Sequence, residues 1–207
     1  ISTNEINTDF QFGDVLTGSY PMSASITRDY FLNPAARVIS GEQSKARIES
    51  LKNTTNFYAV NSEHYAYSSD LGDGWDKGTQ DITLISIPSI FYGSQIKKGS
   101  ISLKYYISGS LVGELKDLNH NGELIQVGPY GSTGSGSVAG VALYNEGLLL
   151  LTGSWVLDSK SITYDGSADT GKWYYFGAGA NDSQTVDSSH LSASFSIDYK
   201  GVNNIET

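Results

Sequence analysis

Residues 101–107, ISLKYYI, put Ile101, Leu103, Tyr105 and Ile107 on one side of an extended chain and Ser102, Lys104 and Tyr106 on the other. A period of two is the spacing of a half-buried strand. From residue 82 onward this period dominates. ITLISIPSIFYG (82–93) is one extended run, interrupted by Pro88; proline donates no ladder hydrogen bond, so this marks an edge or a bend. SLVGEL follows ISLKYYI after Ser108-Gly109, a two-residue hairpin connection. ELIQV, VAGVALY, LLLLTGSWVL and SFSIDYK continue the series, with Asn145-Glu146-Gly147 as a further turn and GPYGSTGSGS (128–137) as a flexible loop. A helical period occurs once, in SGEQSKARIESLKN (40–53). Ser40 and Gln43 have capping-box spacing there, and Ile48 and Leu51 share a face. The pattern predicts a mainly β fold: an antiparallel β-sandwich between about residues 82 and 200, with one short helix near 41–53. Residues 1–36 are polar and irregular, with a β-like SASIT and a break at Pro34. They are expected to form an extended N-terminal arm or linker, with 37–207 as the sandwich domain and its short N-terminal helix.

Composition strengthens this reading. The chain has 207 residues, with 23 Gly, 14 Tyr and 30 Ser, and only 17% charged residues. That mixture suits strands and turns better than long helices. A chain of this length buries roughly 70% of its unfolded surface and needs no covalent staples. It has no cysteine, so disulfides, thiolate metal sites and thiol nucleophiles are excluded. A net charge of −9 argues against nucleic acid or an anionic membrane as a partner. No window approaches 18 consecutive apolar residues. The opening ISTNEINTDFQFG has neither the basic region nor the apolar run of a secretory signal. It begins with Ile1, too large a residue to follow a removed Met, so a piece of a longer chain is expected.

Candidate chemistry is sparse. DLNHNGELI (117–125) begins like a calcium loop, with Asp117, Asn119 and Asn121 alternating before Gly122. A full loop needs a bidentate acid at its twelfth position, and Gly128 stands there. Asn121-Gly122 also suits a type I′ hairpin, the preferred reading, with His120 a solvent-facing turn residue. DLGDGWDKGTQD gathers Asp70, Asp73, Asp76 and Asp81, a weak calcium candidate set against the plainer reading of a solvated acidic loop. His64, His120 and His190 form no metal-ligand spacing. GSTGSGS lacks the Gly-Lys-Ser/Thr of a phosphate loop, and its Gly-x-Ser-x-Gly-like spacing precedes no helix. These residues assign no catalytic group and no cofactor. Acid pairs of the glycosidase kind meet only in three dimensions, so a hydrolase remains open. The densest aromatic run is KWYYFGAG. As a strand it would place Trp173 and Tyr175 on one face and Tyr174 and Phe176 on the other, one for the core and one for a subunit interface or a stacked sugar.

Several stretches resemble the β-rich modules of tailed-bacteriophage virion proteins, especially those of large contractile-tailed marine and cyanobacterial phages. The carrying pieces are Phe91-Tyr92-Gly93, Ile96-Lys97-Lys98-Gly99-Ser100, Val138-Ala139-Gly140 with Tyr144-Asn145-Glu146-Gly147, and SLKNTTNFY (50–58). They span roughly residues 45–157. The resemblance implies a non-enzymatic structural subunit, located in the virion and assembled in the host cytoplasm. Its expected partners are other virion proteins and copies of itself, in tail, baseplate or capsid. It implies no site residues. The alternative is a carbohydrate- or receptor-binding module, with a host-surface glycan as partner.

Overall fold

The structure is a computed structural model that describes residues 24–31, 46–68, 76–164, 166–180, 185–187 and 191–202. The fold is mainly β and antiparallel. Eight strands form one sheet in the order β1 (Thr27–Phe31), β2 (Ile82–Ser86), β8 (Leu148–Leu151), β7 (Val138–Leu143), β6 (Glu123–Gly128), β5 (Ser110–Lys116), β4 (Ser102–Ile107) and β12 (Ala193–Asp198). A three-stranded sheet, β10 (Ser167–Gly171), β9 (Asp158–Tyr164) and β11 (Val186–Asp187), packs on its inner face. There the Tyr105 and Tyr164 hydroxyls meet at 2.9 Å. A short pair joins β3 (Gln95–Ile96) to β13 (Gly201–Val202). The large sheet curls until β1 and β12, its two edges, line the same apolar cavity of about 290 Å3, together with Phe176.

The strand sequences record which faces are covered. β4 alternates because one face alone is buried: Leu103, Tyr105 and Ile107 are fully enclosed and Ser102, Lys104 and Tyr106 are not. β7 and β8 read as continuous apolar runs, and β2 (ITLIS) is buried at four successive positions including Thr83, because both their faces are covered. Leu149, Leu151, Ala142 and Ile85 face the interior of the curl. Ile82, Leu84, Val141, Leu143 and Leu150 face a second core roofed by Ile48, Tyr65 and Tyr67.

That roof is helical: α1 (Ala46–Ser50) and α2 (Lys52–Tyr58), followed by a single 3-10 turn, Glu63–Tyr65. The predicted helix thus breaks at Leu51 and runs on to Tyr58, while its proposed cap at Ser40 lies outside the described residues. Thr and Asn are poor helix formers, yet tertiary contacts hold NTTNFY helical. Thr55 is buried and donates to Lys52 O (3.1 Å), and Asn56 Oδ1 accepts Tyr67 N (2.8 Å).

The arm needs a new boundary. Thr27–Phe31, inside it, pairs with β2 as an edge strand. Arg28 is buried and donates to Thr83 Oγ1 (3.1 Å) and Tyr174 O (2.9 Å). Residues 1–23 and 32–36 lie outside the described residues.

The Ser108-Gly109 connection is a type I′ hairpin, with φ of 51° and 76° and Ile107 paired with Ser110. The loop 128–137 is tethered rather than free-standing. Gln126, fully buried, accepts from the indoles of Trp155 (2.6 Å) and Trp173 (2.8 Å) through Oε1, and donates through Nε2 to Ser132 Oγ (2.9 Å) and Thr133 O (2.8 Å).

Lys77 is the least expected core residue. It is 1% exposed, and Nζ donates to His64 O (2.8 Å) and Ala66 O (2.7 Å). Burial lowers its pKa to about 8, with Asp76 opposing in part. Between that value and its unfolded value the unfolded chain binds the extra proton, so stability rises with pH across this window. Tyr65, Tyr105 and Tyr144 act oppositely. Burial raises their pKa values, so their contribution is intact below about pH 10 and is lost above it. Denaturant unfolding is therefore expected to show stability climbing from pH 8 to about 10 and dropping beyond. Lys77→Met should flatten the climb and keep the drop; an unchanged climb in that variant would refute the assignment.

Candidate functional site

The loop between β5 and β6 is organised by Asp117. This carboxylate is buried and accepts three hydrogen bonds. Oδ2 accepts from Gly99 N (2.6 Å) and from the Tyr144 hydroxyl, and Oδ1 accepts from Gly122 N (3.2 Å). One side chain thereby joins the turn before β4, the β5–β6 loop and the β7–β8 loop. Asn121-Gly122 is not a type I′ turn. The left-handed residues are His120 (φ 56°) and Gly122 (φ 92°), within a six-residue connection. The calcium reading of this stretch also loses its ligand: Asp117 faces N–H and O–H donors. Asn121 Oδ1 accepts Glu123 N (3.1 Å), and Asn119 donates to Glu123 Oε2 (2.9 Å).

His120 is exposed, as expected of a turn residue, but its ring lies over Gly99, where a Cβ would stand 2.5 Å from Nε2. The ring forms part of a cavity of about 230 Å3. The rings of Tyr58, Tyr65 and Tyr144 line it, with Tyr58 and Tyr65 at 5.6 Å and 32°. Tyr58 comes from the end of α2, where its hydroxyl donates to Glu146 (3.2 Å) and accepts from Asn145 Nδ2 (3.1 Å). The Tyr65 hydroxyl donates to Ala142 O (2.6 Å), with Asn121 O at 3.1 Å. Lys98 supplies the cavity's ammonium, 5.7 Å from the centre of the Tyr144 ring.

Beside the cavity, Ser62, His64 and Glu123 converge. Ser62 Oγ donates to Glu123 Oε1 (2.6 Å), and His64 Nε2 lies 3.9 Å from the same oxygen. Burial pushes the Glu123 carboxyl up, but its bonds to Ser62, Asn119 and Asn121 outweigh this and hold it below the usual range. Burial pushes His64 down. Nucleophilic catalysis needs serine hydrogen-bonded to the histidine base. Here Ser62 Oγ instead gives its proton to the carboxylate and accepts His64 N (3.1 Å), the geometry of a cap on the 3-10 turn.

The aromatic run is corrected in both form and place. Trp173, Tyr174 and Tyr175 form a 3-10 turn rather than a strand, with Phe176 closing it. All four are at most 7% exposed. Trp173 and Phe176 pack inside the curl against Tyr105; Tyr175 stacks on Tyr164 at 3.7 Å. The Tyr175 hydroxyl donates to Asp169 (3.0 Å), which also pairs with Lys172 (2.8 Å). All four rings are therefore core residues, with Phe176 also lining the cavity between β1 and β12. Of the acidic-loop calcium candidates, Asp70 and Asp73 lie outside the described residues. Asp76 Oδ1 accepts Gly78 N (2.8 Å), and the structure gathers no group of three metal-ligating side chains around it or Asp81 among the described residues. His190 is also outside them.

The cavity was hidden from sequence reasoning because its residues come from four separate stretches. In the sequence His120 and Asn121 stand out only as turn residues, and Tyr58, Lys98, Tyr144 and Asn145 only within the stretches that carry the resemblance. No protein-family model, curated protein or solved structure matches the chain.

Proposed function

We propose that this chain is a non-enzymatic structural subunit of a tailed-bacteriophage virion, in tail, baseplate or capsid, acting through contacts with other virion proteins and copies of itself. The supporting observation is exposed apolar side chains on two elements that flank one loop of a well-packed β body. Phe57 and Val60, at the end of α2 and just after it, are 74% and 89% exposed. Ile90 and Phe91, on the 3-10 turn Ser89–Phe91, are also exposed. Both elements bracket the loop 144–147: Tyr58 bonds Glu146 and Asn145, and the Tyr92 hydroxyl donates to Asn145 O (3.3 Å). Single exposed apolar residues are ordinary, whereas several on adjoining elements mark a contact surface. The acidic charge limits unspecific adhesion to DNA during assembly. No helix among the described residues is long and apolar enough to cross a membrane.

The test is quantitative mass spectrometry of purified particles. The chain is expected at a fixed copy number. A Phe57→Asp, Val60→Asp double variant, whose changes are on exposed positions, should fold normally yet fail to incorporate. Absence from particles, or normal incorporation of that variant, would count against the reading and against this surface respectively.

A further inference from the structure

We propose that the cavity between α2 and the β5–β6 and β7–β8 loops is a binding site for a single acidic sugar unit, a hydroxylated ring carrying a carboxylate or a sulfate. It concerns the isolated chain and does not rest on the assembly reading. The volume of about 230 Å3 is below the range of roughly 300–1,000 Å3 usual for drug-sized ligands, so one ring fits and an extended chain does not.

Three features set the chemistry. The first is an aromatic wall. Tyr58 is half-buried at the end of α2, and its ring gives a face on which the C–H side of a pyranose can pack. The second is a set of uncommitted polar groups. Among the described residues, the side chains of Asn61, Gln95 and His120 make no hydrogen bond although they line the cavity. Amide side chains both donate and accept, which matches the alternating demands of vicinal hydroxyls. The third is the sign of the charge. The chain has 22 acids against 13 Lys and Arg, yet no carboxylate lines this cavity and Lys98 does. Three acids lie near the cavity without lining it: Glu146, which accepts from the Tyr58 hydroxyl (3.2 Å), Glu123, which accepts from Ser62 and Asn119, and Asp117 beneath the floor, which is buried and accepts from Gly99, Gly122 and Tyr144. Lys98 has only the Tyr144 ring as a partner in the described structure, so its ammonium is free to pair with an anionic substituent. The site is also preorganised. Asp117 clamps three of its segments together, which spares a ligand the cost of ordering them.

The experiment titrates glucuronic acid, glucose 6-sulfate and glucose into the isotopically labelled full chain and follows backbone amide shifts. The acidic sugars are expected to move the amides of residues 98–99, 119–122 and 144–146, binding at least roughly tenfold tighter than glucose, the effect of one charge-assisted hydrogen bond. Lys98→Met should abolish that advantage, and Lys97→Met, the adjacent exposed lysine outside the lining, should keep it. Tyr58→Leu should weaken all three sugars. Whichever acidic sugar binds tighter identifies the substituent. No shifts in these segments would overturn the proposal. So would glucose binding as tightly as glucuronic acid, or acetate and inorganic sulfate alone binding as tightly as the sugars. The spectrum of the remaining residues reports folding of each variant, and none of these outcomes bears on incorporation into particles.

Discussion

Gly122→Ala should cost at least about 3 kcal/mol of stability, and Gly122→Val should leave little folded protein, whereas Gly109→Ala should cost only about 1 kcal/mol. Both glycines have positive φ, 92° and 76°. Left-handed strain is therefore common to the two, and its size is roughly 1–2 kcal/mol for a residue with a Cβ. The difference lies in what surrounds them. A Cβ on Gly109 meets nothing within 4 Å. A Cβ on Gly122 overlaps the Tyr65 hydroxyl and stands 2.8 Å from Ala142 O. Tyr65 is fully buried and cannot swing into solvent, and displacing it breaks its bond to Ala142 O. A buried acceptor left without its partner costs a further 1–3 kcal/mol, roughly. Against a typical total of roughly 5–15 kcal/mol, the sum is severe. Equilibrium unfolding in urea of the two alanine variants decides the matter. Equal losses would mean that Gly122 serves only its turn.

This contrast also shows how far the sequence could be read. Period-two alternation located β4 and β12, and the turn dipeptide Ser108-Gly109 marked the hairpin between β4 and β5, because both signals are local. Asn121-Gly122 carries the same local signal yet sits in a six-residue loop. There the deciding contacts are Asp117 to Gly99, eighteen residues away, and Tyr65 to Ala142, seventy-seven residues away. The aromatic run failed for a related reason. Four consecutive rings suggest an exposed face only if the backbone is extended. A 3-10 turn inserted into the curl buries all of them, and the space is made by Gly113 and Gly153, whose Cβ atoms would press on Trp173. The cavity was least legible of all. Tyr58, Lys98, His120 and Tyr144 are ordinary residues in their own stretches, and long-range contacts, Asp117 to Gly99, Gly122 and Tyr144 and Tyr58 to Asn145 and Glu146, bring them to one place.

Gln126→Leu is the second large effect, at about 3–5 kcal/mol. Leucine preserves the apolar volume of the site, so packing loss is a minor component. The main cost is polar. Trp173 is fully buried, and its indole N–H loses its acceptor; the Trp155 indole loses the same oxygen. Each stranded donor forfeits roughly 1–3 kcal/mol. On the other side, Ser132 and Thr133 lose the amide that ties the loop 128–137 to β6, so amide exchange of residues 131–135 should accelerate even where the variant is still folded. Gln126→Glu separates these contributions. A glutamate oxygen still accepts both indoles, but an ionised carboxylate faces Thr133 O, which needs a donor. Protonation restores that donor, so the folded state favours the neutral acid and its pKa is raised above the unfolded value. The contribution is then present below the unfolded pKa and is lost as pH rises through the folded one. The glutamate variant should therefore lie closer to the parent protein at pH 4 than at pH 7, while the leucine variant's deficit stays the same at both. Urea unfolding monitored by tryptophan fluorescence reads both. A leucine variant as stable as the parent, or a glutamate variant with no such pH dependence, would show that Gln126 does not hold the two indoles and the loop together.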